Sequence, residues 1–437
     1  MRTGVITPFS AALIASVLLS VSLAAQSRSS NPGQPGQAAT QVPAERPEVR
    51  AGRDGFSVRS ADGAFQLRLR GYMQSDSRFF LNDRQDASDA FLLRRVRPIL
   101  EGTLFRQFDF RVMPDFAGGT TSLQDAYIEA RFHPLFRIRT GKFKAPVGLE
   151  RLTSASELLF IERALPTALV PNRDVGVAVH GDWKTGTVTY MGGVFNGTVD
   201  GGSVDGDDQD GKDVAGRLFA QPFRADRRPW LQGVGVGVAG SYGVQHGTPS
   251  APGLAVLRTS GQQAFFRYRA DATSFGTAVA DGTRYRVSAQ GYYYAGPTGI
   301  VLEHVLSSQA VRRSTSTLDA RSTAWQAAVS HVLTGEQATA RGVTPSRAFG
   351  RESGGWGALE LAARFSTLAV DDDAFPVFAD PAAAARRARA AAIGLNWYLN
   401  ANVKISADYE RTAFDGGARD GDRAIEHDLF TRFQIAF

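Results

Sequence analysis

The sequence predicts an all-β protein, a transmembrane antiparallel β-barrel of about 16 strands. Three observations predict it. Apolar and polar residues alternate from Phe65 to the last residue. No stretch after the N-terminal residues reaches the ~18 apolar residues that a membrane-spanning helix needs. The first 25 residues have the pattern of an export signal. Because only helices and closed barrels satisfy every backbone polar group in lipid, strands that cross a membrane must close into a barrel.

The N-terminus divides the chain into three parts. Arg2 precedes an apolar run at residues 11–23, and Ala24 and Ala25 follow as small residues suited to cleavage, so residues 1–25 are predicted to be a signal peptide. The next residues are rich in Ser, Pro, Gly and Gln and bury too little apolar surface to fold. We therefore expect a disordered linker over residues 26–55 and the barrel domain over residues 56–437.

The strand pattern is clear in the first predicted strand and recurs along the chain. Phe65, Leu67 and Leu69 alternate with Gln66, Arg68 and Arg70, as expected where one strand face meets lipid and the other water. Similar segments follow at residues 107–116, 125–132, 175–183, 233–238, 284–293, 393–399 and 403–409. Counting them gives 16 strands, with 14 or 18 left open because glycine-rich stretches blur the boundaries.

The chain end and the turns indicate the compartment. Leu429, Thr431, Phe433, Ile435 and Phe437 share one face of the last predicted strand. This arrangement resembles the C-terminal strand of bacterial outer-membrane barrels, which the barrel assembly machinery recognises. We expect a location in the bacterial outer membrane, in contact with lipid and lipopolysaccharide, with short turns on the periplasmic side and long loops outside.

Several other classes of site are not supported by the sequence. The chain has no cysteine, which excludes thiolate catalysis and zinc-thiolate sites. The net charge of +6 is spread through the predicted strands, so we expect no nucleic-acid partner. A G-x-G-x-x-G motif at residues 235–240 is not followed by a helical pattern, and the six histidines lie far apart without ligand spacing. We expect no catalytic residue, no metal, no cofactor and no enzyme activity.

A family resemblance is carried by one region of the chain. Residues 140–152 (TGKFKAPVGLERL), 159–166 (LFIERALP) and 171–177 (PNRDVGV) resemble the most characteristic stretch of the phosphate-selective porin O and P family of bacterial outer membranes. The resemblance implies a 16-stranded barrel, homotrimers and a third loop folded into the lumen as a constriction with basic residues. It also implies passive passage of small anions, with phosphate or polyphosphate first.

Basic residues on the predicted water-facing side are the candidate anion-binding residues, because rings of Arg or Lys in a pore select anions. In the loop, each cation either pairs with a neighbour such as Glu150, Glu157, Glu162 or Asp174, or faces the permeating ion, and both readings stay open. The strand candidates are Arg68, Arg70, Arg95, Arg97, Arg111, Arg131, Arg137 and Arg139, and the loop candidates are Lys142, Lys144, Arg151, Arg163 and Arg173.

Three other functions remain as alternatives. The chain could be a general porin for small solutes without phosphate preference. A barrel enzyme of the outer membrane, such as a phospholipase, would need a nucleophile and a base, and the sequence shows no such pairing. A soluble, secreted β-rich binding protein would show the same alternation, and solubility without detergent would identify it.

Overall fold

A computed structural model describes residues 46–81, 87–206, 210–352 and 354–437. The predicted signal peptide and most of the predicted linker lie outside the described residues. The N-terminal half contains the strands β1 (Glu48–Gly52), β2 (Gly55–Arg59), β3 (Gln66–Phe80), β4 (Ala90–Leu104), β5 (Phe108–Asp115), β6 (Ser122–His133), β7 (Phe136–Lys144), β8 (Arg173–Trp183), β9 (Val188–Phe195) and β10 (Asp213–Ala220). The remainder contains β11 (Val234–His246), β12 (Leu257–Arg258), β13 (Ala264–Phe266), β14 (Val279–Ala295), β15 (Thr298–Arg313), β16 (Ser316–Val332), β17 (Ala358–Ala369), β18 (Ala385–Tyr398), β19 (Val403–Ala418), β20 (Gly421–Asp422) and β21 (Glu426–Ala436).

Helical structure is confined to short turns in the described residues. The α-helices are α1 (Leu149–Leu152) and α2 (Pro229–Gln232), and 3-10 turns span Leu165–Leu169 and Asp372–Ala374. None of the described helices has the length and apolar character needed to cross a membrane.

The strands close into a barrel. From β3 to β11, and then through β14 to β19 and β21, each strand pairs antiparallel with the next. The last strand returns to the first, with Met73 of β3 opposite Ile435 of β21. Sixteen strands of the described chain form this closed wall, which confirms the predicted fold class and strand number.

The barrel is polar on its buried face and apolar on its exposed face. On β3, Gln74 and Asp76 are buried whereas Met73 is 43% exposed; on β6, Glu129 is buried whereas Ile128 is 57% exposed. A soluble protein of this size would bury its apolar face instead. The reversed pattern is the one that a lipid-facing wall around a polar interior requires.

The N-terminal hairpin differs from our expectation of a disordered linker up to residue 55. Glu48–Gly52 pairs with Gly55–Arg59, and the second of these strands pairs with the start of β3. The pairing of β21 with β3 ends at Tyr72. Over residues 66–69 of β3, β2 is the neighbouring strand instead, and Phe56 lies opposite Leu69. The alternation in residues 56–59 explains this pairing, because Phe56 and Val58 continue the exposed apolar face of the wall.

Connections at the end that carries Phe437 are mostly short, as expected for the periplasmic side. Residues 105–107, 134–135, 184–187, 296–297 and 399–402 each join two barrel strands tightly. The connection at residues 333–357, between β16 and β17, is long and departs from that expectation. Its residues Ala338 and Val343 are buried against Tyr398, which explains why it is ordered along the barrel rim.

The G-x-G-x-x-G motif lies inside β11, so its glycines do not cradle a nucleotide. A Cβ on Gly235 would lie 2.4 Å from the ring of Tyr292, and one on Gly237 would lie 2.4 Å from the ring of Phe219. The glycines therefore make room for two aromatic rings whose centroids are 5.2 Å apart.

Candidate functional site

The charged side chains of the barrel wall have different partners in two sectors. We call strands β3 to β8 the near wall, and strands β14 to β19 with β21 the far wall. Residues 145–172, which we call the β7–β8 segment, connect two near-wall strands. This segment is the loop that sequence analysis singled out.

Most strand arginines of the near wall are paired with carboxylates across neighbouring strands. The antiparallel register brings Arg97 to Asp115 and Arg139 to Glu129, because these residues share the polar face of adjacent strands. In the described residues, six of the eight candidates form such pairs: Arg70 with Glu101 (3.4 Å), Arg97 with Asp115 (2.7 Å), Arg111 with Glu101 and Asp125 (3.2 Å each), Arg131 with Asp109 (3.0 Å), Arg137 with Asp182 (3.0 Å) and Arg139 with Glu129 (2.6 Å).

The other two strand candidates bind neutral groups. Arg68 donates to the side-chain oxygen of Gln66 over 3.3 Å, and Arg95 donates to that of Gln74 over 2.7 Å. Sequence analysis missed Arg94, which strict alternation would turn toward lipid. The pairing of β3 with β4 shifts register between Gln74 and Ser75, and this irregularity lets Arg94 bind Glu162 of the β7–β8 segment at 2.6 Å.

The five loop candidates divide into paired and unpaired cations. Lys142 pairs with Asp205, and Arg173 pairs with Asp125 at 2.8 Å. Lys144, Arg151 and Arg163 form no ion pair with any carboxylate in the described parts of the chain. We call these three residues the carbonyl-bound cations.

Backbone carbonyls of the segment hold these three cations in place. The Lys144 ammonium donates to the carbonyls of Leu152 (3.1 Å) and Thr153 (2.8 Å). Arg163 shares the Thr153 carbonyl at 2.8 Å, and Arg151 donates to the carbonyl of Thr167. Carbonyl oxygens satisfy the hydrogen-bond donors but bring no net negative charge, so no ion pair compensates the cluster within the described residues.

Proximity among these cations changes the titration of Arg151. Burial and the positive charges of Arg163 and Arg173 lower the pKa of Arg151 to about 9. Glu162, at the other side of the segment, behaves oppositely: although burial opposes ionisation, Arg94 and Arg95 hold its pKa well below its usual range. Both groups are therefore charged at neutral pH.

The far wall holds the backbone of the β7–β8 segment with buried polar side chains. Glu303 on β15 accepts hydrogen bonds from the amides of Leu149 (2.6 Å) and Glu150 (3.2 Å). Asp408 on β19 accepts from the amide of Ile161 at 2.5 Å. Three further side chains donate to the segment's carbonyls: Asn396 to Leu159 (2.8 Å), Arg364 to Glu162 (2.9 Å) and Lys404 to Leu158 (2.9 Å).

Sequence analysis missed these far-wall partners, although a signal for them was present. Glu303, Arg364 and Asp408 all occupy the polar face of strands with period-two alternation. The candidate residues lie on β3 to β8 and in the β7–β8 segment, so the polar residues of these later strands were not among them.

Three cavities follow one another beside the near wall. The first, about 620 Å³, lies at the end opposite Phe437, the second measures about 540 Å³, and the third, about 570 Å³, lies at the end of Phe437. We call them the outer, middle and inner cavities. Lys144, Ala155 and Arg173 line both the outer and the middle cavity, and Arg111 and Tyr127 line both the middle and the inner cavity. These shared residues mark two necks.

Positive side chains outnumber carboxylates in all three cavities. Among the described residues, eight Arg and Lys side chains and three carboxylates line the outer cavity. Six cations and three carboxylates line the middle cavity, and five cations and two carboxylates line the inner one. A fourth cavity of about 470 Å³ lies between the segment and the far wall, and there three arginines face three glutamates. The positive excess is thus a property of the near-wall side.

The structure brings most of the predicted site residues into the near-wall cavities. The carbonyl-bound cations, together with Arg95, Arg97 and Arg173, line the outer cavity. Lys142 lines none of the three, since its ammonium is taken up by Asp205. The described residues contain no group of three or more His, Asp or Glu side chains placed to hold a metal ion.

Several known proteins are similar to this chain in sequence or in fold. Porin O of Pseudomonas aeruginosa is 26% identical over 426 residues, which cover 88% of this chain and 91% of that protein. The crystal structure of the outer-membrane channel DcaP of Acinetobacter baumannii aligns with a TM-score of 0.56 at 11% identity, covering 86% of this chain and 98% of that one. An anion-selective porin from Comamonas acidovorans aligns with a TM-score of 0.52 at 11% identity, covering 85% of this chain and all of that one.

The family assignment comes from the sequence match. The family model described as phosphate-selective porin O and P matches residues 65–437, which is most of the chain and all of the barrel. The chain therefore belongs to the phosphate-selective porin O and P family of bacterial outer-membrane β-barrels.

Proposed function

We propose that the protein is a passive diffusion channel for small anions and has no enzymatic activity. The observation that carries the proposal is the cluster of carbonyl-bound cations beside the neck between the outer and middle cavities. Lys144 lines that neck and has no carboxylate partner in the described residues, so its field acts on an ion that passes. The family description and the anion-selective relative from Comamonas acidovorans support this direction of selectivity.

In this proposal the β7–β8 segment lies inside the barrel and narrows it. The support is topological: the segment leaves the wall between β7 and β8, yet its backbone bonds to buried side chains of β15, β17, β18 and β19. These strands lie on the opposite side of a closed wall, and their polar side chains face its interior. A segment that reaches them crosses the interior and leaves the near-wall cavities as the path.

Phosphate and polyphosphate are the substrates we propose first. Arginine offers a planar set of donors that matches phosphate oxygens, and the outer cavity presents several guanidiniums beside the Lys144 ammonium. The similarity to Porin O and the family description also point to phosphate. A general anion porin without phosphate preference is the second candidate, favoured by the many cations that are already neutralised by carboxylates.

Reversal potentials in planar bilayers test the selectivity. In a salt gradient, the wild-type channel should show the sign of anion preference. Lys144→Gln combined with Arg163→Gln should lower the anion-to-cation permeability ratio by about tenfold, since a confined wall focuses the field of such charges. Lys142→Gln is the matched control, because Lys142 lies two residues away and lines none of the three cavities. Cation preference in the wild type would refute the proposal.

Competition separates the two substrate candidates. With chloride as the current carrier, added phosphate should block the wild-type current in a saturable manner and should block the double variant much less. A chloride current that phosphate leaves unchanged would establish a general anion porin and remove the phosphate preference.

We also propose that three copies associate through the side of the barrel formed by β5 to β10. β5, β9 and β10 have eight residues each, short of the ~9–11 residues that a tilted strand needs to cross the hydrocarbon, whereas β14 and β16 have 17. A short wall against lipid would mismatch the bilayer, and a neighbouring copy would cover it. The mass of the detergent-solubilised protein, corrected for detergent, should equal three chains, and a single-chain mass would contradict this.

A further inference from the structure

The connection at residues 333–357 carries a cluster of exposed aromatic rings that ion passage does not explain. The ring of Phe349 lies 5.2 Å from that of Trp397 and 6.4 Å from that of Trp356. Trp356 is 75% exposed and Phe349 is 48% exposed. We call Phe349, Trp356 and Trp397, with Arg347 and Arg351, the rim patch.

Hydrogen bonds fix the rim patch to the barrel. The amide of Phe349 donates to the carbonyl of Leu399 over 2.7 Å, and the indole nitrogen of Trp397 donates to the carbonyl of Trp356 over 2.7 Å. On the inner side, Ala338 and Val343 of the same connection pack against Tyr398. The connection thus straddles the rim, and its exposed rings are held in place from both sides.

The rim patch continues the lipid-facing surface of the wall. Ile393 and Leu395, on the same face of β18 as Trp397, are 60% and 43% exposed, while Asn396 between them and Trp397 is fully buried. Phe349 and Trp356 therefore extend the apolar outer face beyond the strand end, at the end with short turns that faces the periplasm. Tryptophan rings are favoured at the depth of lipid headgroups because they are amphipathic.

Positive charge accompanies these rings. Arg347 and Arg351 flank Phe349 at two residues' distance on either side, and both are exposed. The Arg347 Cβ would lie 2.9 Å from a Cβ on Gly355, which places Arg347 beside the residue that precedes Trp356. Exposed guanidiniums next to an apolar surface at headgroup depth attract anionic lipids.

We propose that the rim patch binds an anionic phospholipid of the periplasmic leaflet. The rings of Phe349, Trp356 and Trp397 pack against the glycerol and upper acyl chain, and the guanidiniums of Arg347 and Arg351 bind the phosphate. The contact would hold this sector of the rim at a fixed depth in the leaflet.

A second exposed tryptophan at the same end provides a control. Trp230 is 57% exposed and has Arg228 over its ring at 5.9 Å, but Arg228 is paired with Asp226 at 3.0 Å. It lacks the ring cluster, and its arginine is already neutralised. The rim patch should therefore bind anionic lipid more strongly than the site around Trp230.

Native mass spectrometry of the full-length protein in detergent tests the proposal, with phosphatidylglycerol and phosphatidylethanolamine as probes. The wild type should retain phosphatidylglycerol in preference to phosphatidylethanolamine. Arg347→Gln with Arg351→Gln should reduce phosphatidylglycerol retention by about tenfold, since each arginine near an anionic lipid surface contributes appreciably to binding. Arg228→Gln should leave it unchanged. Equal retention of both lipids by the wild type, or undiminished retention by the double variant, would overturn the proposal.

A second measurement tests the aromatic part independently of the charges. In vesicles that contain phosphatidylglycerol with brominated acyl chains, part of the tryptophan fluorescence should be quenched. In the Trp356→Phe variant, the fraction of tryptophan fluorescence that bromine quenches should be smaller than in the wild type. An equal quenched fraction in both proteins would place Trp356 away from lipid. Because Arg347, Arg351 and Trp356 are exposed, we expect the double arginine variant and Trp356→Phe to fold. An unchanged thermal unfolding midpoint checks this.

Discussion

The near and far walls of the barrel carry the same alternation of polar and apolar residues but use their polar faces differently. On the near wall, arginines pair with carboxylates of adjacent strands and line open cavities, as Arg139 does with Glu129. On the far wall, buried side chains such as Glu303 and Asp408 bind the backbone of the β7–β8 segment. The difference shows that the far wall holds the segment, whereas the near wall lines the cavities with charged side chains.

The largest effect on conductance is expected when a far-wall side chain that binds the β7–β8 segment is removed. Glu303→Ala leaves the amides of Leu149 and Glu150 without an acceptor, at a cost of about 1–3 kcal/mol each if they stay buried. We expect the segment to detach, single-channel conductance to rise and anion preference to fall. Glu303→Gln, which keeps one acceptor oxygen, should have an intermediate effect. Unchanged conductance in the alanine variant would mean that the far wall does not hold the segment.

Neutralisation of charges on the near wall should distinguish paired from unpaired cations. Lys144→Gln removes an uncompensated charge and should lower the anion permeability ratio severalfold, as measured from reversal potentials. The double variant Arg139→Gln with Glu129→Gln removes one charge of each sign and should stay within about twofold of the wild type. If both variants reduced selectivity equally, the distinction between the two kinds of cation would not hold.

Alkaline pH should weaken selectivity through Arg151. Its pKa is lowered to about 9 by burial and by Arg163 and Arg173, so the guanidinium is charged at pH 7 and loses its proton as the pH rises through that value. Anion preference should therefore decline between about pH 8 and pH 10, and Arg151 should contribute no change between pH 7 and pH 5. In Arg151→Gln the alkaline decline should be smaller than in the wild type. An identical decline in both proteins would assign it to another group.

The smallest effect, a change in unfolding temperature, is expected for a buried far-wall carboxyl group that binds no partner. Both carboxylate oxygens of Asp428 are buried without a hydrogen-bond partner in the described chain, and Glu410 lies opposite on β19. Asp428→Asn replaces a buried carboxyl group that has no hydrogen-bond partner, so it should leave the unfolding temperature unchanged or raise it slightly. Asp76→Asn, on the neighbouring strand, should lower it, because Asp76 binds Arg432 through both oxygens at 2.7 and 2.6 Å. A lower unfolding temperature for Asp428→Asn would reveal a partner for that carboxylate.

Local sequence was sufficient to predict the wall. Period-two alternation predicted that Ile128 and Phe132 face outward while Asp125 and Glu129 face inward, and the structure has Ile128 and Phe132 57% and 62% exposed and the two carboxylates buried. Where the register is regular, facing direction depends only on the parity of a residue within its strand, so a single segment contains the information.

Which lysines and arginines are paired with carboxylates depends on contacts between residues far apart in the sequence. Alternation within one strand could not predict these pairs. Lys142 and Lys144 share one face of β7, yet the first pairs with Asp205 and the second binds two carbonyls of the segment. Arg173 meets Asp125 across 48 positions of the sequence. Which cation is neutralised is decided by how strands register and how the segment folds, and neither is encoded in the alternation.

The seam between β3 and β21 has a consequence for biogenesis. Met73 and Ile435 are neighbours in the wall although almost the entire barrel sequence separates them. Until the last strand arrives, the growing sheet has two free edges whose unpaired amides and carbonyls invite association with other chains. Closure must therefore wait for β21, and we expect that both edges need protection from other chains until that strand pairs with β3.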